Sequence, residues 1–505
     1  MKTTRLSILL LSVLLLGSCS LEEKPYGFYS TGNFYKTEAD AESGLMYAYN
    51  ALNYLEYLRG IWYIGDIPTE TMYAKSEEPG DIHLLDNWTY TSNTELTWYY
   101  FKYCFIGINR ANTVIERVAD CQISDDAKNR ILGEALFLRA WNYFNLVRSF
   151  GRVPLTLKAI VTLDQTTPEL AASTEEIWNT VFSDLKRAEG LLEVNKVFGR
   201  VDKVAAQALL AKAYLTVASG KHYNAPGYRS LSFDPDTYYT YAADYARMVV
   251  SDYAPTYAFD DDLRHIYDVD APDGPEHIFI MATDRSGTHE GMYTKIPLQF
   301  LPNNSSVPIF IKYGDGSLQK ANGNGWGVFI VEDSFVESFL STDKRRTELI
   351  HRQFYDQYGA PITIASGAKY YSAKYVDPDF VGERTSARPY LLRYSDIALV
   401  LAEAAGPEEG YPIVNQIRSR AGIPNLAAGL DKETFRREVI KERALELAFE
   451  GNRLFDLRRT GTVTSTVREA SKISEDDAAF YPIPQREIDL NPNITEDNNN
   501  TYTAQ

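Results

Sequence analysis

Residues 129–151 carry Leu132, Leu136, Tyr143, Val147 and Phe150 at spacings of three, four or seven. That interval gathers apolar side chains on one side of an α-helix, whereas a strand would divide them between two faces. Gly151 supplies a C-terminal stop, and Pro154 follows. The same period recurs along the chain. Ser173-Thr174-Glu175-Glu176 opens a helix carrying Ile177, Val181, Leu185 and Leu192. Asp202 is placed to cap 203–219, where Ala205, Ala206, Ala208, Ala211 and Ala213 let a neighbouring helix approach closely and Gly220 ends the run. Tyr238, Tyr241, Ala242, Tyr245 and Val249 form a further stripe, opened by Pro235-Asp236. Residues 394–405, 413–421 and 432–449 read as helix as well.

A chain so dominated by amphipathic helices is expected to be mainly α. Small alanines alternating with tyrosines resemble tetratricopeptide-repeat helix pairs, although no 34-residue period repeats cleanly. Such pairs stack, burying one continuous side and exposing a large outer face. The region 260–387 breaks the pattern. It is rich in Gly, Pro, Asn and Ser, with short apolar runs at 277–282 and 328–331 and turn clusters at Pro302-Asn303-Asn304, Gly314-Asp315-Gly316 and Asn322-Gly323-Asn324-Gly325. It reads as a long loop-rich insertion carrying a few short strands. Residues 50–90, with Trp62, Tyr73 and Trp88, read as a second loop-rich segment. Long structured loops on a helical scaffold commonly carry function. The expected organisation is therefore a leader at 1–18 and one body at 19–505. The body divides into a helical part to about 255, an insertion at about 256–387 and a helical part from about 388.

The leader follows from Lys2 and Arg5 ahead of the eleven apolar-rich residues 6–16, too short to span a bilayer as a helix and suited to a secretory signal. Leu16-Gly17-Ser18-Cys19 then resembles a bacterial lipobox, which implies cleavage before Cys19 and lipid on its thiol and new amino terminus. At about 0.8 kcal/mol per buried methylene, several acyl chains hold a protein at a membrane. Glu22-Glu23 resembles a surface-export signal of Bacteroidetes lipoproteins. With 51 basic and 68 acidic residues the chain carries −17. Loss of Lys2 and Arg5 leaves 49 against 68, or −19. This balance argues against a nucleic-acid partner, which requires a basic stripe. At 45% hydrophobic and 24% charged residues the chain buries a sizeable core, so wholesale disorder is excluded.

Catalytic signatures do not emerge. There is no Gly-x-Ser-x-Gly elbow, no Walker A loop and no His-Glu-x-x-His, and the six histidines (His83, His222, His265, His277, His289, His351) lack metal-ligand spacing. Carboxylates are too numerous for sequence to single out an acid–base pair. Cys104, inside a helix-like stretch, and Cys121, just past its end, are seventeen residues apart and stand roughly 25 Å from each other, beyond disulfide reach. Both read as packing residues. Asp315 and the run Asp260-Asp261-Asp262 offer oxygen ligands without EF-hand spacing, so no metal and no cofactor are expected.

Several segments in order resemble one family. Gly133-Glu134-Ala135-Leu136-Phe137-Leu138-Arg139-Ala140-Trp141-Asn142-Tyr143-Phe144 runs on to Phe150-Gly151-Arg152-Val153-Pro154-Leu155. Arg393-Tyr394-Ser395-Asp396 precedes Ala402-Glu403-Ala404, and Asn415-Gln416-Ile417-Arg418-Ser419-Arg420-Ala421-Gly422 follows. Glu442-Arg443, Glu446-Leu447-Ala448-Phe449-Glu450-Gly451-Asn452-Arg453, Asp456-Leu457-Arg458-Arg459 and Tyr481-Pro482-Ile483-Pro484 complete the series. Together they resemble the signatures of the SusD/RagB nutrient-binding lipoproteins of Bacteroidetes, with a short link between Ala404 and Asn415 and Arg152 where Asp is common. The charged residues of these motifs (Glu134, Arg139, Glu450, Arg453, Asp456) read as scaffold, because an ion within an apolar helix is tolerated only when paired.

The resemblance implies a binder rather than an enzyme: a lipid-anchored protein on the outer face of the outer membrane. Such a protein captures oligosaccharide and delivers it to a partner TonB-dependent (SusC-like) transporter. Sugars present apolar C–H faces and polar rims, so aromatic platforms flanked by polar groups suit them. By region, the expected ligand-binding residues are Tyr73, Trp88, Tyr90, Tyr293 and Trp326, with Asp81, Asn87 and Asn324 as polar partners. The alternative for Trp88 and Trp326 is loop anchoring, and Trp98, Trp141 and Trp178 are assigned to the helix core. A peptide or other nutrient on the same scaffold, a surface hydrolase and a purely structural interaction protein stand as the other readings.

Overall fold

The computed structural model describes residues 34–495, so the leader, Cys19 and the last ten residues lie outside the described chain. The fold is mainly α. α1 (Glu38–Tyr49) and α2 (Leu55–Gly65) precede two long helices, α3 (Glu95–Ala119) and α4 (Asp125–Phe150). Then follow α5 (Thr174–Leu191), α6 (Lys203–His222) and α7 (Pro235–Ser251). Each long helix packs chiefly on the next, α3 on α4, α4 on α5 and α6 on α7. The start signals read from sequence are in place: the Ser173 hydroxyl accepts from Glu176 N–H, and the Asp202 carboxylate accepts from Ala205 N–H. Gly151 ends α4 at φ +68°, a left-handed conformation that costs a side chain without Cβ nothing. Ala205, Ala206, Ala208, Ala211 and Ala213 are all buried, which is how α6 fits between its neighbours.

The insertion supplies α8 (Ile296–Phe300) and most of the strands, none longer than four residues. β1 (Met72–Ala74) pairs with β5 (Phe329–Val331), and β2 (His277–Ile280) with β10 (Tyr390–Arg393). β3 (Ile309–Lys312), β4 (Leu318–Ala321), β7 (Phe354–Tyr355) and β8 (Pro361–Ile362) form an antiparallel sheet in the order 4-3-7-8. β6 (Ile350–His351) pairs with β9 (Tyr371–Ser372). A small core of Leu301, Ile309, Ile311, Phe354 and Tyr371 lies under this sheet, separate from the main helical core. The chain returns to helix with α9 (Tyr394–Ala405), α10 (Pro407–Arg420), α11 (Lys432–Glu446) and α12 (Arg453–Arg459). α9 packs on α7 and so continues the helical stack.

Three expectations differ from the structure. Residues 50–90 hold a regular amphipathic helix, α2, which buries Tyr57, Leu58, Trp62 and Tyr63; its glycines and aromatics weaken the local helix signal, and burial overrides it. α10 begins at Pro407 rather than near 413, because Gly406 at φ +95° turns the chain and Pro407 fits the first helical turn. α11 stops at Glu446 rather than running to residue 449. Phe449 takes φ +64°, and its carbonyl accepts from Trp62 Nε1 (2.8 Å) and the Tyr375 hydroxyl (2.7 Å).

The motif charges are paired. Arg139 grips Asp184 through two 2.7 Å bonds, and Glu134 accepts from Arg200 and from the Tyr49 hydroxyl (2.6 Å each). Arg453 meets Glu70 at 2.6 Å, Asp456 meets Arg459 at 2.8 Å, and Glu450 meets Lys374 at 2.7 Å and Arg393 at 2.8 Å. Cys104 and Cys121 are free and buried.

Candidate functional site

A cleft of about 310 Å³ lies between the start of α2 and the segment 290–299 of the insertion. Its first wall begins at Tyr54, the extended residue that opens α2. Arg110, reaching from α3, donates to the Tyr54 hydroxyl (2.9 Å) and to the Tyr47 carbonyl (2.9 Å). The Tyr54 ring lies 4.6 Å from that of Tyr103. Two residues further on, Glu56 lines the same cleft; burial and the Glu56 charge both push the Tyr103 phenol up. Arg59 follows, its guanidinium 5.2 Å over the Trp326 ring. Trp62 lies beyond, buried and part of the cleft lining. The spacing Glu56, Arg59, Trp62 is what one helical face requires.

The opposite wall is held by the chain's own backbone. Asn53 donates to the Gly291 carbonyl (2.9 Å), at a glycine with φ +89°. Thr294 and Thr385 exchange backbone bonds of 3.0 and 2.9 Å, fixing Tyr293 between them and Gly291. Lys295 pairs with Glu383 at 2.8 Å, and that bond holds its ammonium pKa above the usual value, with the Glu290 charge adding to it. α8 then presents Gln299 at the cleft, 2% exposed, with neither amide atom hydrogen-bonded among the described residues. An amide left so costs about 1–3 kcal/mol. A hydroxyl or water reaching it recovers most of that penalty.

The five expected aromatics are not gathered in one place. Tyr293 lines this cleft, and Trp326 adjoins it through Arg59 and through its own backbone N–H, which donates to Leu298 at 2.6 Å. Tyr73, on β1, packs against the small core under the sheet. Trp88, at φ +55°, donates its indole N–H to the Pro68 carbonyl at 2.7 Å, and so anchors its loop. Tyr90 is buried, with its hydroxyl donating to the Asp477 carbonyl. Of the polar partners, Asp81 accepts from Glu95 N–H at the start of α3, Asn87 ends a short helix, and Asn324 bonds Asn322. Trp141 and Trp178 are core residues, as expected. Trp98 is half-buried at the surface instead, with Arg486 and Lys102 over its ring at 4.1 and 4.8 Å.

Sequence reasoning missed Tyr54, Arg59 and Gln299. The signal within reach was the i, i+3 run of polar and aromatic residues from Glu56 to Trp62; an unpartnered amide has no sequence signature. Beyond the Gly291 strap a second hollow of about 450 Å³ is lined by Met46, Phe198, Phe279, Met281 and Met292, and gives the cleft an apolar flank. Asp315, considered earlier as an oxygen ligand, bonds Ser317 and pairs with Arg264 at 3.0 Å.

Two family models match the chain. One, described as "SusD family", matches residues 275–502, and another, described as "Starch-binding associating with outer membrane", matches residues 62–215. A SusD-like protein P38 from Formosa agariphila is 26% identical over 516 residues, covering 97% of each chain. The solved structure of a SusD homologue from Bacteroides thetaiotaomicron superposes with TM-score 0.75 at 21% identity, covering 92% of this chain and 97% of the other. A structure described as a laminarin-binding SusD-like protein does so with TM-score 0.72 at 22% identity, covering 90% and 98%.

Proposed function

The chain belongs to the SusD family, and from that premise we propose that it is a surface lipoprotein that binds oligosaccharide in the cleft between α2 and α8. It then hands its ligand to a partner TonB-dependent, SusC-like transporter in the outer membrane. The family description already associates such chains with starch and the outer membrane. The observation that carries the glycan reading is the pairing of cleft tyrosines with an unsatisfied amide. Tyr54 and Tyr293 border the hollow that the Gln299 amide also borders. A sugar needs that combination, an aromatic surface for its C–H face and an amide for its hydroxyls. The laminarin-binding neighbour supports the ligand class.

Binding rather than cleavage is the reading because the two cleft carboxylates are differently engaged. Glu290 is exposed near Lys295, and Glu56 lies beside the Tyr103 hydroxyl. Neither is the desolvated partner of the other that a glycosidase acid requires. Incubation with a bound polysaccharide should therefore release no continuing stream of reducing ends.

The test is isothermal titration against oligosaccharides selected on a glycan array. Tyr293→Ala is expected to weaken binding about tenfold, the loss of roughly 1.4 kcal/mol of stacking, with the unfolding midpoint nearly unchanged since Tyr293 is only half-buried. Unaltered affinity would move the site elsewhere. The membrane anchor has its own check. Cys19→Ala, made in the full chain, should yield folded protein in the soluble fraction, whereas retention with outer membranes would remove Cys19 from the proposal.

A further inference from the structure

The polar groups around the cleft are nearly all spoken for by the protein itself. Asn53 holds the Gly291 carbonyl, the Tyr54 hydroxyl accepts from Arg110, Thr294 pairs with Thr385, and Lys295 is neutralised by Glu383 and by nearby Glu290. Two groups stand apart. One is the Gln299 amide. The other is Arg59, which forms no ion pair among the described residues and whose Nε is buried without a hydrogen-bond partner. Its guanidinium lies 5.2 Å over the Trp326 ring. A half-buried guanidinium that forms an ion pair with neither carboxylate of the cleft, Glu56 or Glu290, has given up hydration and received a cation–π contact in return. An anion supplied by the ligand satisfies it in full, because the planar fork of Arg matches the oxygen pair of a carboxylate or sulfate.

We propose that the cleft selects glycans carrying an anionic substituent, a uronate carboxylate or a sulfate ester, which pairs with Arg59 while the neighbouring sugar hydroxyls reach Gln299. This rests on the glycan reading above and sharpens it. The overall acidity of the chain does not oppose it, since charges beyond about 8 Å are largely screened at physiological ionic strength. Within the cleft, Glu290 is exposed to solvent and Glu56 lies toward the Tyr103 hydroxyl, so neither carboxylate pairs with Arg59 among the described residues.

The experiment compares three probes of matched length by calorimetry: a neutral galacto-oligosaccharide, an oligogalacturonate and a sulfated galactan oligosaccharide. These are backed by an array holding neutral and anionic glycans. At least one anionic class should bind roughly ten- to a hundredfold more tightly than its neutral counterpart, the range of a charge-assisted hydrogen bond. Which of the two does so distinguishes carboxylate from sulfate. Arg59→Gln should shrink that ratio to within about threefold, and Arg59→Lys, which keeps the charge without the fork, should retain part of it. Thermal unfolding of both variants separates loss of selectivity from loss of fold. Neutral glycans bound as well as anionic ones, or a ratio unmoved by Arg59→Gln in folded protein, would overturn the assignment to Arg59 and leave glycan binding standing. Absence of binding to either class would overturn the reading beneath it.

Discussion

Replacing Glu446 with glutamine lowers the unfolding free energy by about 3–5 kcal/mol, the cost of breaking a buried ion pair from one side. Glu446 ends α11 and is 1% exposed. Its carboxylate accepts from Arg393 (2.9 Å), Arg420 (2.8 Å) and Arg345 (3.2 Å), while its carbonyl accepts from Arg393 and Lys374. The donors to its carboxylate arrive from β10, α10 and the helix Lys344–Leu349, so one side chain ties the insertion to the C-terminal helices. Glutamine keeps the shape but turns an N–H₂ toward guanidinium groups that can only donate. Burial alone would raise the Glu446 pKa, yet Arg420, Arg393 and Arg345 outweigh it and hold the carboxyl well below the ordinary range. Glu276, Asp396 and Asp456 are depressed in the same way, each by nearby Arg or Lys against the effect of burial. A depressed carboxyl contributes stability that is fully present above its unfolded pKa and lost as pH falls toward the folded one. Stability should therefore hold near neutrality and fall steeply below about pH 4.5. Urea unfolding of wild type and Glu446→Gln from pH 7 to 3 measures both effects. A loss under 1 kcal/mol at pH 7, or an unfolding curve indifferent to acid, would count against the network.

Trp62→Ala is expected to cost a further-reaching 3–5 kcal/mol, about the usual penalty for emptying a buried tryptophan site. Trp62 is 1% exposed, with edge-to-face contacts to Phe300 at 5.4 Å and Tyr375 at 5.3 Å. Its indole N–H holds the Phe449 carbonyl, the point at which the chain leaves α11 in a left-handed turn. Removing it hollows the base of the cleft and frees Phe300, which belongs to the same short helix as Gln299. Glycan affinity should fall together with the melting temperature, in contrast to Tyr293→Ala, where affinity falls alone. Calorimetry and thermal unfolding on the two variants distinguish a wall residue from a support. Equal stability for Trp62→Ala and wild type would show that α2 does not hold the cleft in shape.

The helical scaffold was legible because its signals are local. Gly151, Asp202, Ser173 and the α6 alanines each act within a few residues of where they stand in the chain, and each is found in its expected role. The aromatic candidates were less so. Trp88 and Tyr90 share the composition of a sugar platform, yet a hydrogen bond to Pro68 in one case and to Asp477 in the other turns their polar ends inward. Tyr293 entered the reading by region and lines the cleft; Tyr54 stood outside it, because its setting is made by Arg110 and Tyr103, about fifty residues away in sequence.

Sequence alone determined the class of fold, the order of its helices, the family resemblance and the need to pair the motif charges, since periodicity, capping and the cost of a lone buried ion are written in neighbouring residues. Tertiary structure alone decided which groups around the cleft are left without partners. Gln299 and Arg59 differ from the satisfied amides and guanidiniums elsewhere in the chain only by what distant segments bring, or fail to bring, against them. Hydrogen-bond satisfaction is a property of three-dimensional neighbours.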